Sequence, residues 1–269
     1  MKSVAEKRKR FRELHEFGCF VIPNPWDVGS ARMLQHMGFA ALASTSAGFA
    51  WSIGKPDHLI TLYEKLVHLT QLCGAVDLPV NADFESGFAV KPEEVAKNVT
   101  AAIGTGIAGL SVEDKMEGSG GLYDLSFAVE RIKAAKAAIK ASGEDVLLVG
   151  RTEHMLVDPK ALKPALDKLV AFAEAGADVL FAPGVKDKAD IQAMVKAVAP
   201  KPLTVLAMGT EMKVQDYAEL GVRRISVGGS LARVALSAFH AAAEQLKRGS
   251  FAGLSTSVTS KELNEIFGR

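Results

Sequence analysis

Residues 78–113 read LPVNADFESGFAVKPEEVAKNVTAAIGTGIAGLSVE. A short apolar run at 78–82 ends in a polar turn, an amphipathic segment follows at 92–104, and a glycine then leads into a second apolar run at 109–112. That order is one strand–helix–strand unit of a parallel sheet. The unit recurs along the chain. Strand-like runs are predicted at 19–23, 40–44, 78–82, 109–112, 146–150, 179–182, 203–207 and 224–227. Helical segments are predicted between and after them at 29–37, 57–74, 92–104, 125–141, 159–175, 188–199, 213–220 and 230–247. Several helical segments close on a glycine, as a left-handed cap requires. Eight continuous βα units without a linker predict an α/β fold, a closed (β/α)8 TIM barrel, occupying 1–269 as one domain. An open Rossmann sheet is the alternative, but no GxGxxG follows the first strand. Residues 249–269 form a C-terminal extension with a surplus helix predicted at 256–267, suited either to capping the barrel or to docking on another subunit.

The composition narrows the function classes. The 269 residues are 48% hydrophobic, ample for one large core. Thirty-two basic and 31 acidic residues, mixed along the chain, give a net charge of +1, so no field draws nucleic acid or an anionic membrane. No apolar run approaches the ~20 residues that span a bilayer, and no apolar segment follows the basic N-terminus as a secretory signal requires. A cytoplasmic protein with a small-molecule partner is expected. The two cysteines, Cys19 and Cys73, have no metal-ligand spacing and read as buried thiols.

In such a barrel the chemistry gathers at the C-terminal ends of the strands. Those ends carry Asn24, Ser44-Thr45-Ser46, Asp83 and Glu85, Glu113 and Asp114, and Arg151; the last three strands offer mainly glycine, proline and backbone. Asp83 and Glu85 lie two positions apart and so face the same side of an extended chain. With Glu113 they would put three carboxylates in one mouth, where like charges repel unless a cation or a proton intervenes. A hard divalent ion, Mg²⁺ with Mn²⁺ as alternative, fits oxygen donors of this kind. Taken singly, these acids also suit helix caps and surface salt bridges. Arg151 offers a fork to an anionic substrate group, or a rim salt bridge to Glu113 or Glu153. Ser44-Thr45-Ser46 presents hydroxyls and successive N–H groups as a small anion nest. Trp26 is placed to shape the mouth, and Asp27 to cap the helix after it.

The stretches VIPNPWDVGSARML, GFAALASTSAGFAWSIGKPD, PVNADFESGFA, GLSVEDK, LVGRTEH and GADVLFAPG together resemble the phosphoenolpyruvate mutase/isocitrate lyase superfamily over nearly the whole chain. The resemblance implies a (β/α)8 barrel, assembled as a homo-oligomer, dimer or tetramer, whose subunits exchange the eighth helix. It implies Mg²⁺ and a 2-oxo or 2-hydroxy carboxylate whose C–C or C–P bond is made or broken beside the carbonyl. Carried over by position, Ser44, Thr45 and Ser46 fall on the carboxylate-binding turn, Asp57 on an acid that orders metal-bound water, and Asp83 on the direct metal ligand. Glu85 and Glu113 fall on the accompanying acids, and Arg151 on the substrate-binding arginine. Asn24, Trp26 and His154 are taken as further substrate-binding residues.

The chain departs from that resemblance in one place. The lyases carry a Lys-Lys-Cys-Gly-His loop whose cysteine delivers a proton; here residues 113–124 read EDKMEGSGGLYD, without Cys or His. Tyr123, His154 and Glu153 are the candidates for a replacement acid or base. A decarboxylase needs only the metal and a proton from water, and so survives that loss better. Two function classes follow: a metal-dependent C–C lyase or decarboxylase with Arg151, Glu113, Asp57 and Tyr123 in catalytic roles, or a 2-oxo acid binding protein with little activity. A C–P bond enzyme is a further alternative.

Overall fold

The computed structural model describes residues 2–116, 118, 120–255 and 257–268. Strands β1 (Phe20–Ile22), β2 (Leu42–Ala43), β3 (Val80–Asp83), β4 (Gly109–Glu113), β5 (Leu147–Arg151), β6 (Val179–Phe181), β7 (Leu203–Leu206) and β8 (Arg224–Ser226) are all parallel. They run in the order β1-β8-β7-β6-β5-β4-β3-β2. The two ends of that order are joined by a hydrogen bond from the Ala43 N–H to the Pro23 carbonyl at 3.0 Å, so the barrel is nearly closed. All eight predicted strands are present, and the fold is the expected (β/α)8 barrel.

The helices are α1 (Val4–Leu14), α2 (Val28–His36), α3 (Ser46–Ser52), α4 (Leu62–Ala75), α5 (Pro92–Ile103), α6 (Leu125–Ser142), α7 (His154–Val157), α8 (Leu162–Glu174), α9 (Lys188–Val198), α10 (Val214–Glu219), α11 (Ser230–Lys247) and α12 (Ser260–Phe267). Three were not read from the sequence. Helix α1 closes the barrel's lower end: Phe11 is fully buried there, and a Cβ on Gly109 would lie 2.7 Å from its ring. Lys7 and Arg8 on the same helix donate to the carbonyls of Cys73 and Val76 (2.9 and 2.5 Å) and of Ile107 and Ile103 (2.9 and 3.0 Å). They thereby satisfy acceptors at and just beyond the ends of α4 and α5. Helix α3 begins inside the turn read as an anion nest, where the Thr45 hydroxyl accepts from the Gly48 N–H at 3.2 Å. The third is the single turn α7.

The segment predicted at 57–74 starts later than expected. Thr61 and Glu64 form a capping box that sets the first turn of α4, leaving Asp57 and His58 in the loop before it. Asp27 caps α2 as expected, accepting from the Ser30 N–H at 2.7 Å. The start of the extension helix predicted at 256–267 is Thr256, outside the described residues; α12 begins at Ser260.

Apolar side chains fill two layers. The larger lies between strands and helices, with Leu72, Val99, Leu110, Ile132, Leu169 and Phe172 among its members. A smaller one inside the barrel joins Phe11, Ile22, Leu147, Val149 and Val179. Cys19 and Cys73 are free thiols, and burial pushes Cys73 up to about 12. No helix among the described residues is long and apolar enough to cross a membrane.

Candidate active site

Strand register brings the charged ends together. Glu113 is the direct neighbour of Arg151 across β4 and β5, and Asp83 the neighbour of Ser111 across β3 and β4. Three carboxylates therefore converge on one guanidinium. Arg151 Nε lies 2.6 Å from Glu153 Oε1 and 3.3 Å from Glu113 Oε2, while Nη1 lies 3.2 Å from Asp83 Oδ1. The guanidinium also stands 5.2 Å from the centre of the Phe181 ring. Burial disfavours its charge, but Glu153, Glu113 and Asp83 outweigh that and hold its pKa well above the ordinary arginine value. The sequence left open whether Arg151 forks to substrate or pairs with Glu113 or Glu153; in the structure it pairs with both and with Asp83.

The other Asp83 oxygen, Oδ2, accepts from the Ser46 N–H and hydroxyl, each at 2.9 Å. The Ser44 hydroxyl oxygen accepts from the Asp83 N–H at 3.0 Å and from Lys65 Nζ at 3.1 Å. Burial pushes the Asp83 carboxyl up, and Arg151, Lys65 and the Ser46 hydrogen bonds more than offset it, leaving the group below the ordinary aspartate value. Glu113 goes the other way. Burial pushes it up to about 8, Glu153 and Asp83 adding to the rise and Arg151 and His58 opposing it. Its site is too negative for one arginine to balance.

Glu85 is buried with a backbone φ of 46°. Its carbonyl accepts from the Glu113 N–H at 2.9 Å, which locks the two strand ends together. Its Oε2 lies 3.5 Å from His58 Nδ1, while Oε1 is buried without a hydrogen-bond partner. The His58 ring continues to Lys115 Nζ at 2.8 Å. Glu85, accepting from the His58 ring and opposed by burial, raises the His58 pKa above its ordinary value. His58 and Lys115 were not singled out in the sequence; the only signal for His58 is its place next to Asp57.

Two cavities meet at this cluster. The larger, about 460 Å³, is lined by Ser44, Thr45, Ser46, Asp57, Asp83, Arg151 and Glu153 among others. The smaller, about 380 Å³, takes Glu85 and Glu113, and His58 and Lys115 line both. The acids predicted to surround one ion are thus arranged on either side of Arg151. Among the described residues no three His, Cys, Asp or Glu side chains form a ready-made metal cage.

The remaining candidates fall differently. Asn24 lines the larger cavity, but its amide joins three strand ends: Oδ1 accepts from the Val227 and Gly228 N–H groups at 2.9 Å each, and Nδ2 donates to the Ser44 carbonyl at 3.3 Å. Trp26 does not line the cavity; its carbonyl bonds the His68 ring at 2.9 Å and its Cβ packs near Gly48. The expectation that Tyr123 stands at the site is corrected. Its ring is buried beneath α6, beside Phe127 and 4.4 Å from the Arg131 guanidinium carbon. His154 is likewise turned away, its Nδ1 2.8 Å from Thr152 Oγ1 and 3.6 Å from Asp114 Oδ2. Of the candidates for a replacement acid or base, only Glu153 reaches the cavity. Glu117 and Ser119 of the 113–124 stretch lie outside the described residues.

A parallel barrel with a charged cavity at the carboxyl ends of its strands is the architecture of a barrel enzyme. Residues 11–247 match the family described as phosphoenolpyruvate phosphomutase, and the chain belongs to that family. A crystal structure from Burkholderia cenocepacia J2315, provisionally described as a lyase/mutase, is 41% identical with a TM-score of 0.95, covering 99% of this chain and 98% of that one. A 2,3-dimethylmalate lyase, itself described as a PEP mutase/isocitrate lyase superfamily member, superposes with a TM-score of 0.87 at 27% identity, covering 100% of this chain and 95% of that one. The oxaloacetate decarboxylase of Paraburkholderia xenovorans (strain LB400) is 28% identical over 271 residues, covering 96% of this chain and 88% of its own.

Proposed function

We propose that this chain is a divalent-metal-dependent carbon–carbon lyase or decarboxylase acting on a small 2-oxo or 2-hydroxy carboxylate through an enolate. The observation that carries this reading is Arg151 held among Asp83, Glu113 and Glu153 in a mouth that the Ser44–Ser46 turn also lines. The similarity to a C–C lyase and to an oxaloacetate decarboxylase supports the reaction class.

The residues fit a hard cation. Glu85 Oε1 is buried without a partner, and Glu113 sits where burial and like charge make its ionised form costly. An ion held directly by Asp83 and otherwise through water, with Glu85, Glu113 and Asp57 as acceptors, needs no preformed cage. Bound there, a Mg²⁺ or Mn²⁺ ion would supply Lewis-acid stabilisation of the charge that develops on the substrate oxygens.

The chain's own side chains do the rest. Arg151 presents a fixed, permanently charged fork to a substrate carboxylate, and its contacts to Glu153 and Glu113 fix its direction. Ser46 holds Asp83 by one oxygen, leaving the other toward Arg151. The turn hydroxyls of Ser44 and Thr45 line the same cavity. With no cysteine or histidine in residues 113–124, the enolate takes its proton from water admitted to the cavity. That favours decarboxylation over a lyase reaction needing a dedicated donor. The same missing donor supports the second reading, a 2-oxo acid binding protein.

The protein is read as one barrel domain, acting in the cytoplasm as a homo-oligomer. Helix α11 buries only Ala232, leaving Val234 67% and Phe239 73% exposed, as a helix exchanged with another subunit would be. Beyond it the chain returns to its own barrel: Arg32 Nη1 of α2 donates to the Phe267 carbonyl of α12 at 3.3 Å. The deciding assay incubates the protein and Mg²⁺ with oxaloacetate, 2-methylisocitrate, isocitrate and phosphonopyruvate, following pyruvate and glyoxylate. Turnover of a C–C substrate is expected. No turnover, with 2-oxo acids still raising the melting temperature in a metal-dependent way, would establish the binding reading instead.

A further inference from the structure

The interior layers of a parallel barrel are normally filled by branched apolar side chains. Below this mouth the cavity floor is polar, with Asn81 of β3, Ser111 of β4, Thr204 of β7 and Arg224 of β8. Arg224 pairs in register with Thr204, two residues and so roughly 7 Å below Ser226 at the strand end. It is 3% exposed. Its Nε donates to the Thr204 hydroxyl at 2.8 Å, and Nη1 lies 3.4 Å from both Asn81 Oδ1 and His15 Nε2.

None of these partners is charged. His15 Nδ1 lies 2.7 Å from the Phe11 carbonyl and carries the hydrogen, so Nε2 faces Arg224 as an acceptor. Burial, reinforced by the Arg224 charge, drives the His15 pKa down to about 3. The other buried arginines are treated differently: Arg8 pairs with Glu144 and donates to the Ile107 and Ile103 carbonyls, and Arg131 donates to backbone carbonyls. Among the described residues, no carboxylate pairs with Arg224, and its Nη2 makes no hydrogen bond. A guanidinium does not surrender its proton in a protein. Burying one among neutral groups is expensive unless an anion reaches it.

We propose that Arg224, its fork set by Thr204 and Asn81, receives the second carboxylate of a ligand whose 2-oxo or 2-hydroxy acid end is held at Arg151, so that the site selects dicarboxylates over monocarboxylates. This rests on the proposed role of Arg151 and adds a second subsite deeper in the barrel. The polar floor then has a purpose: Thr204 and Asn81 hold the fork in place, in a cavity polar enough to admit a carboxylate that an apolar barrel interior would reject.

The test is calorimetric titration of wild type, Arg224→Gln and Arg224→Lys, in Mg²⁺, with pyruvate and with two dicarboxylates of increasing length, malate and 2-oxoglutarate. Wild type is expected to bind at least one dicarboxylate more tightly than pyruvate. Arg224→Gln should lose about 10- to 100-fold for that dicarboxylate while its pyruvate affinity holds, and Arg224→Lys should keep part of the gain. If the Gln variant does not fold, Thr204→Val, which frees the guanidinium from its anchor, carries the same comparison. Equal weakening of pyruvate and dicarboxylate, an unchanged dicarboxylate affinity, or an Arg224-dependent site filled by chloride or phosphate alone would overturn the proposal. A wild type that binds pyruvate and the dicarboxylates equally would overturn the Arg224 subsite and leave the Arg151 reading standing. A wild type that does not bind pyruvate would overturn the Arg151 reading itself.

Discussion

Lys168→Met should damage the protein through a buried ion pair that stands behind the site. Lys168 Nζ is 2.7 Å from Asp114 Oδ2 and also donates to the Tyr123 carbonyl, and the side chains of Lys168 and Asp114 are 5% and 0% exposed. Asp114 in turn accepts from the Thr152 hydroxyl at 2.8 Å and from the Glu153 N–H at 2.9 Å, so it anchors the chain that points Glu153 at Arg151. Removing only the lysine leaves a buried carboxylate without its cation, a loss of about 3–5 kcal/mol. For 269 residues the unfolding entropy is about 0.56 kcal/mol per kelvin, so the melting temperature should fall by roughly 5–9 °C. Burial and then the Lys168 charge hold His154 below its ordinary pKa, with Asp114 opposing. Without Lys168 burial still lowers the His154 pKa, but one of the two depressing causes is gone, so the folded-state value is depressed less than in wild type. A folded pKa held below the unfolded one costs stability as pH falls through the unfolded value; that cost is smaller in the variant, so part of its deficit relative to wild type should return below about pH 6. Calorimetry of Lys168→Met, Asp114→Asn and the double variant measures this. The double variant should lose about 0.5–3 kcal/mol less than the sum of the singles. A single-variant shift under about 1 °C, or strict additivity, would refute the reasoning.

Two further perturbations follow from the same structure. His15 and His68, both buried and both held down at about 3, take up protons only on unfolding, whereas Glu113, pushed up to about 8, is already protonated in the fold. From pH 6.0 to 4.5 the unfolded chain therefore gains two protons on the histidines against one already bound at Glu113. Metal-free protein should lose about 1.4 kcal/mol per pH unit, and Glu113→Gln about 2.7, as urea midpoints would show; a flat wild-type profile would count against it. The paired substitution Val234→Asp with Phe239→Asp, placed on the exposed face of α11, should convert an oligomer into species of the 28.5 kDa chain mass in light scattering. Identical masses for variant and wild type would contradict the helix-exchange proposal.

The barrel was legible because each strand is a short apolar run and the long helices carry an apolar period, several of them with a cap. Of the three helices that escaped notice, α1 carries a Ser3–Glu6 capping box but was read only for its basic charge, whereas α3 and α7 lack such marks. SAGFAWS in α3 has small residues in place of a long apolar stripe, and HMLV in α7 is a single turn. At the site, strand-end position alone found Asp83, Glu113, Arg151 and the Ser44–Ser46 turn, since backbone geometry fixes where those side chains emerge. Loop residues are another matter. Tyr123 looked available for chemistry, yet its direction is set by Phe127 and Arg131 on α6, which no local pattern shows. His58 holds an uncommon positive φ of 62° to face Glu85, a conformation the sequence does not signal. Arg224 reads as an ordinary basic residue in a strand until the barrel closes around it.

The central claim is that Asp83 anchors a divalent ion on which C–C cleavage depends. The most direct measurement is the steady-state rate of pyruvate release from oxaloacetate, with Mg²⁺ and then with excess chelator, for wild type and Asp83→Ala. The expected result is a wild-type rate abolished by chelation and a variant slower by at least about 100-fold even in saturating Mg²⁺. Oxaloacetate cleavage that survives both the chelator and the loss of the Asp83 carboxylate would contradict the claim.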